Sequence, residues 1–315
     1  MVAAAGRRIE WSDVPSTVRD ATNAVLGAPI VEAVNTVGGF SPGPAARCTL
    51  ADGRRVFVKA VGDELNTLTT LMHRREAAIS ASLPEHYPSP RLLHFLDLGD
   101  WVVLVFELLD GANPTMPWTP ADLHASLQLL ERMAELGTPS PLAGIEREGQ
   151  LEVELAERFA WRKLVDEPHL AEQLDEWPRR NLRRLADLDE EWVAAAQGET
   201  LLHRDFRADN IVITADGARL VDWPSALIGA EWLDLVGFLP SAVLHGAGDA
   251  ETIFRSTTIG RRADPECVNI YVCSLAGYFT RNSLMPPPPN IHGLREFQAA
   301  QGKVTMEWLA QRLGW

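Results

Sequence analysis

The stretch LLHRDFRADNIVI, residues 201–213, places His203, Arg204, Asp205, Arg207, Asp209 and Asn210 between two apolar anchors. Polar side chains held this way need a reason beyond solvation. The continuation TADGARLVDW supplies one. Residues 211–214 and 218–222 read as β-strands, and Ala-Asp-Gly between them is a hairpin signal. A three-residue turn centred on Asp216 sets residue 214 against 218, 213 against 219 and 210 against 222. Asn210 and Asp222 then meet at the open end of the hairpin, about 5 Å apart between Cα atoms. Asp205 lies in the loop feeding that end. Oxygen donors of this kind suit Mg²⁺, which takes few protein ligands and completes its shell with substrate phosphates.

Upstream, Pro15 opens a helix to about Leu26, with Gly27 as its stop. Residues 30–37 predict a strand, GGFSPGP breaks it, and residues 45–50 predict a second. Asp52-Gly53 is a turn signal, and RVFVKA is a third strand carrying Lys59. Residues 66–83 read as a helix with an apolar stripe of Leu68, Leu71, Met72, Ile79 and Leu83. Glu76 falls on that inner face, where a carboxylate needs a partner because burying an unpaired charge is costly. WVVLVFEL, 101–108, is a strand. The linker after it, LDGANPTMPWTP, holds a glycine and three prolines. Helices follow over 120–136, across 151–196 with breaks at Pro168 and Pro178, within 237–285, and from about 294 to 313. PPPP at 286–289 is a stiff spacer.

Composition narrows the functional classes. A net charge of −14 disfavours binding to nucleic acid phosphates. No apolar run is long enough to span a bilayer, and MVAAAGRRIEW has the wrong order for a secretory signal. Three scattered cysteines give neither a metal spacing nor a disulfide framework, as expected in a reducing cytoplasm. Residues 146–199 hold fifteen Asp/Glu against eight Lys/Arg, a solvated helical surface or an attractor of cations. Residues 225–283, after the metal Asp, are nearly balanced. Only Lys59, Lys163 and Lys303 are lysines in an arginine-rich chain, which draws attention to Lys59.

The order of parts is a glycine-rich β-turn, a strand lysine, an inner-face helix glutamate, H-R-D-x-x-x-x-N and an Asp after a hairpin. It resembles a protein kinase, and HRDFRADN matches residue for residue. Within the kinase-like fold the chain is more similar to the aminoglycoside phosphotransferase family of small-molecule kinases. VDWPSALIGAEWLDLVGFLP carries that distinction. Asp222 is followed by Trp-Pro rather than Phe-Gly. A short path leads to EWLDL with no long activation loop, and Gly229 to Asp234-Leu235 follows the family's Gly-x-x-x-x-Asp-Leu element. The resemblance covers roughly residues 30–313. The prolines of GGFSPGP depart from the kinase glycine pattern.

The resemblance implies an α+β, bilobal protein-kinase-like fold. A small antiparallel-sheet lobe with a helix, residues 1–107, would bind nucleotide. A larger, mainly helical lobe, residues 108–315, would hold the catalytic loop and the acceptor. Asp205 would accept or orient the proton of the attacking hydroxyl, and Arg207 would touch the transferred phosphoryl group. Asn210 and Asp222 would hold Mg²⁺. Lys59 would bind the α- and β-phosphates of ATP or GTP, positioned by Glu76. Backbone amides of Gly39, Phe40, Ser41 and Gly43 would cover the phosphates, and the hinge FELL, with Glu107 and Leu109, would meet the purine. His203, Arg204 and Asp234 would brace the loop. Trp223, Trp232 and Phe238 could stack on an acceptor or pack in the core. The implied function is a cytoplasmic, Mg²⁺-dependent phosphotransferase acting on a hydroxyl of a sugar- or nucleoside-containing antibiotic, with neither nucleic acid nor membrane as partner. The rival readings are a metabolic sugar, amino-sugar or choline-type kinase, and a nucleotide-binding pseudokinase.

Overall fold

The structure, a computed structural model, describes residues 8–36, 41–150, 158–287 and 293–315. Its first half is built on five antiparallel strands in the order β1-β2-β3-β5-β4: β1 (Ile30–Asn35), β2 (Ala45–Leu50), β3 (Arg55–Gly62), β4 (Leu92–Asp97) and β5 (Trp101–Glu107). Strand alternation gives the sheet two apolar faces. Val56, Val58 and Ala60, with Val103 and Val105 opposite them, pack beneath α1 (Ser16–Leu26) through Val18 and Leu26. Phe57 and Lys59 point to the other face, with Phe106 and Leu104 as cross-strand partners. That face receives Ala77 of α2 (Asp63–Ser82) and lines the cleft.

Gly27 (φ 72°) ends α1 as expected. The β2–β3 turn falls at Asp52-Gly53, where Gly53 has φ 87°. Strand β4 was not read from the sequence. Helix α2 contains an extended residue, Asn66, whose side-chain oxygen accepts the Thr69 amide and caps the main segment. The expected stripe of α2 is corrected. Leu68 and Leu71 are 67% and 55% exposed, whereas Ile79 is buried and Leu83 packs on the core as expected; the buried face also carries Thr70, His73, Glu76, Ala77 and Ser80. The first turns of the helix present small and polar groups to the charged cleft, so only there does the apolar periodicity mark the wrong side.

The linker is also ordered. Strand β6 (Gly111–Ala112) pairs with β8 (Ile211–Thr214), which pairs with β9 (Gly217–Leu220). Asn113 donates to the Ile211 carbonyl at 2.8 Å. Helix α3 (Pro120–Leu136) follows, capped by Thr119. Beyond it lie helices at Ala160–Asp166, Pro168–Ala171, Glu176–Asp189 and Trp192–Ala195, then strand β7 (Thr200–Leu202). Pro178 does not break a helix. It sits in the first turn of Glu176–Asp189, where a missing N–H costs nothing. After the β8–β9 hairpin, β10 (Leu227–Gly229) pairs with β7. The helices Leu233–Leu244, Ala250–Ser256, Thr258–Arg262, Pro265–Ser283 and Leu294–Leu313 complete the chain. One large core joins them, with Trp161, Trp192, Tyr271 and Phe238 at its centre. It extends across to Ile79 and Tyr87, so the end of α2 is bonded into the helical half. Trp223, Trp232 and Phe238 are core residues, each less than a tenth exposed. The expected extended PPPP spacer, residues 286–289, falls partly outside the described residues.

Candidate active site

The hairpin register differs by one from the expected one. Ile211 faces Leu220 and Thr214 faces Gly217, a two-residue turn in place of a three-residue one. Thr214 makes the difference: its hydroxyl donates to the Gly217 carbonyl (2.8 Å) and accepts from the Asp216 amide. Asn210 therefore pairs with Val221, whose amide donates to its carbonyl at 2.9 Å. Asp222 reaches the cleft by another route. Its backbone is left-handed, φ 72°, which turns the carboxylate toward Lys59 at a cost of about 1–3 kcal/mol.

Lys59 Nζ donates to Asp222 Oδ1 (2.6 Å) and to both Glu76 oxygens (2.7 and 2.9 Å). One ammonium is thus shared by two carboxylates in a mostly buried place. Burial works against the charge of Lys59, but Asp222 and Glu76 outweigh it and raise its pKa. Burial also opposes ionisation of Asp222, and Lys59 overcomes it, holding that group down at about 2. Glu76 is pushed up to about 7 by burial, against the pull of Lys59 and with Asp222 adding to the rise. Two carboxylates competing for one cation leave the more deeply buried one the easier to protonate.

The catalytic-type loop is pinned from behind. Asp234 accepts the backbone amides of His203 (2.7 Å) and Arg204 (2.8 Å), and Arg204 is left-handed at φ 66°. His203 Nε2 lies 3.0 Å from the Val221 carbonyl. Asn210 Nδ2 donates to the Asp205 carbonyl (2.8 Å) and to its Oδ2 (3.0 Å). Asp205 sits deep enough for burial to raise its pKa, partly offset by Arg207, whose Nε is 3.5 Å away. Arg207 is itself gripped by Asp209 at 2.6 Å.

Two cavities open on either side of this loop. The first is lined by Ala45, Phe57, Lys59, Glu76, Phe106, Glu107, Leu108, Leu109, Asn210, Val212 and Asp222. The backbone of Leu109 makes no backbone hydrogen bond among the described residues. Glu107 at the end of β5 is tied to Arg91 through its side chain. Ser41 and Gly43 border the first cavity without lining it. A Cβ on Gly43 would lie 1.8 Å from the Ala60 carbonyl oxygen, so only glycine lets this turn lie flat on β3. Gly39 and Phe40 lie outside the described residues. The second cavity, about 630 Å³, is lined by Asp205, Phe206 and Arg207, by Arg75, Arg158 and Arg204, and by Tyr278, Phe279, Phe297, Gln298 and Gln301. That volume is within the range of small-molecule sites. Gln301 is 3% exposed, and its Oε1 has no hydrogen-bond partner among the described residues.

The model of the phosphotransferase enzyme family APH matches residues 45–266. The chain belongs to the APH family. It is a small-molecule kinase. Three solved structures share the fold of this APH protein. A choline/ethanolamine kinase family protein from Mesorhizobium loti is 16% identical, with 95% of this chain and 97% of that one covered and a TM-score of 0.60. The aminoglycoside phosphotransferase APH(4)-Ia, solved with AMP-PNP and hygromycin B, is 12% identical over 95% and 99%, with a TM-score of 0.55. An aminoglycoside phosphotransferase from Alicyclobacillus acidocaldarius is 16% identical over 90% and 92%, with a TM-score of 0.53. No curated protein matches the sequence.

In this APH protein the structure brings Lys59, Glu76, Asp205, Arg207, Asn210 and Asp222 to one cleft, with Glu107 and Leu109 at its far end. The wall of the second cavity was missed by sequence reasoning. One signal was available. The last helix buries Gln298, Gln301 and Thr305 at helical spacing, a polar stripe where an apolar one is expected.

Proposed function

We propose that this APH kinase transfers the γ-phosphate of ATP or GTP, with Mg²⁺, to a hydroxyl of a small molecule. The supporting observation is the arrangement of two cavities about one loop: Asn210 and Asp222 face the first, Asp205 and Arg207 the second. In this reading the purine lies between Phe57, Phe106 and Val212 and bonds the backbone near Leu109. The phosphates approach Lys59. Asn210 and Asp222 offer hard oxygen donors suited to Mg²⁺. Among the described residues no cluster of three His, Cys, Asp or Glu forms a metal site, consistent with an ion that relies on phosphate oxygens for the rest of its shell. Mg²⁺ would neutralise phosphate charge. Asp205, oriented by Asn210, would take the proton of the acceptor hydroxyl, and Arg207 beside it would steady charge on the transferred group. Residues 1–107 serve as the nucleotide lobe and 108–315 as the catalytic and acceptor lobe.

For the acceptor we infer a neutral or weakly charged compound carrying a sugar or nucleoside, such as an antibiotic, which makes the protein a resistance enzyme. The described lining residues include Arg75, Arg158, Arg204 and Arg207 but only two carboxylates, Asp205 and Asp234. Asp234 is occupied by backbone amides. Aromatic rings and the amide of Gln301 suit a ring bearing hydroxyls. A choline-type cation would find little here to neutralise it. The setting is taken to be cytoplasmic, where nucleotide is supplied and where the cysteines, all free, stay reduced. Among the described residues no helix is long and apolar enough to cross a membrane. A nucleotide-consumption screen over hydroxylated antibiotics, sugars and choline-like alcohols tests the reading. The acceptor's KM should be nearly independent of ionic strength at saturating Mg²⁺–nucleotide. A KM rising steeply with salt would point instead to a polycationic acceptor such as an aminoglycoside.

A further inference from the structure

The nucleotide cleft has a lining residue that lies far outside the span matched by the family model. Arg8 precedes that span, which begins at residue 45, and still lines the same cavity as Lys59, Asn210 and Asp222. Its position is built. The Ile9 amide donates to the Pro42 carbonyl (2.9 Å), and Asn35 Nδ2 donates to the Ile9 carbonyl (3.0 Å). Asn35 also accepts the Ala45 amide, so the N-terminal segment, β1 and the start of β2 are tied at one point. The turn at residues 41–44 is fixed in its turn on β3, where Pro44 accepts the Ala60 amide (3.0 Å) next to Lys59. Arg8 Nη1 reaches the carbonyls of Ser41 (3.3 Å) and Gly43 (3.2 Å). These are long contacts to neutral acceptors, and a phosphate oxygen is a stronger acceptor for a guanidinium.

The charge balance gives that guanidinium a task. A nucleoside triphosphate stays anionic with one Mg²⁺ bound, and Lys59 is shared between Glu76 and Asp222. Arg8 bonds Gly43, Gly43 lies against the Ala60 carbonyl, and Ala45 faces Lys59 across the sheet, so the guanidinium enters at the Lys59 end of the cleft.

We propose that Arg8 is a second phosphate-binding cation of the nucleotide site, carried in by the segment that precedes the sheet, and that it exchanges the Ser41 and Gly43 carbonyls for phosphate oxygens when nucleotide binds. This rests on the kinase reading of the cleft.

The test is titration of Mg²⁺–ATP, Mg²⁺–ADP and adenosine into the full-length wild type, Arg8→Gln and Arg8→Lys. Loss of one charge-assisted contact should raise the Kd of ATP about tenfold or more in Arg8→Gln. Adenosine affinity and the melting temperature without ligand should stay unchanged, and Arg8→Lys should recover part of the ATP affinity. Equal ATP affinity in wild type and Arg8→Gln would overturn the proposal alone. So would a parallel loss of ATP and adenosine affinity, which would mark Arg8 as a brace for the turn. Failure of the wild type to bind any of the three would overturn the kinase reading and this proposal with it.

Discussion

Asn210 holds Asp205 through one nitrogen, which donates to the backbone carbonyl and to the carboxylate of the same residue. The group proposed to accept the hydroxyl proton is therefore aimed by the group proposed to hold the metal. Asn210→Ala should lower turnover by about 10²-fold or more, as should Asp205→Ala. The double variant should be little worse than the poorer single one, because the two act as a unit. Single-turnover rates check this, and multiplying losses would separate their roles.

Lys59 carries a stability prediction as well as a catalytic one. Lys59→Met leaves Glu76 and Asp222 facing each other and should cost about 3–5 kcal/mol. Adding Glu76→Leu should recover much of that stability and none of the activity. Lys59→Arg should remain inactive, because a planar fork does not fit the compact site of an ammonium between two carboxylates. Urea midpoints and initial rates together decide the matter.

Asp222→Asn should weaken binding of Mg²⁺–nucleotide far more than binding of nucleotide in EDTA. Asn210→Ala should show the same pattern to a smaller extent, since it removes no charge. Calorimetric titration with and without Mg²⁺ makes the comparison. A wild type indifferent to Mg²⁺ would remove the metal from the site.

His73 predicts a pH effect on stability. It is 6% exposed, and burial, then Lys59, pushes its pKa down to about 3. The folded chain keeps it neutral while the unfolded chain protonates near 6.5. Its contribution is thus fully present above that value and is lost as pH falls toward 3. Between pH 7 and pH 5 the wild type should lose about 2 kcal/mol on this account. His73→Gln should lose correspondingly less, as read from denaturant midpoints at the two pH values.

The sequence disclosed most where side-chain chemistry and local pattern coincide. Lys59 on an alternating strand, Glu76 on an inner helix face and HRDFRADN ahead of a hairpin are all local signals, and they meet in the cleft. The hairpin register was misjudged because the Thr214 hydroxyl selects the shorter turn, a choice Ala-Asp-Gly alone does not reveal. Asp222 still reaches Lys59, by a left-handed residue that no propensity foretells. On α2 the expected face holds at Glu76 and Ile79 and fails at Leu68 and Leu71, where the charged cleft overrides the apolar period. Arg8, and Arg158 and Tyr278 on the wall of the second cavity, were not legible; Gln301 had only the polar stripe of the last helix to mark it. Arg8, Arg158 and Tyr278 are brought there by tertiary packing from distant points of the chain, and nothing in their immediate neighbours announces it.

Arg75, the residue beside Glu76, leaves α2 in the opposite sense and bonds the carbonyls of Pro224 (2.8 Å) and Ala226 (2.8 Å) and the carboxylate of Glu146 (2.8 Å). The helix whose Glu76 holds Lys59 is consequently riveted to the turn just after Asp222 by two hydrogen bonds, with the ion pair to Glu146 as a third tie to the helical half. Protein kinases can be silenced by swinging the corresponding helix outward. An outward swing of α2 in this protein would first have to break those bonds, so the place of Glu76 beside Lys59 is coupled through Arg75 to the turn that follows Asp222.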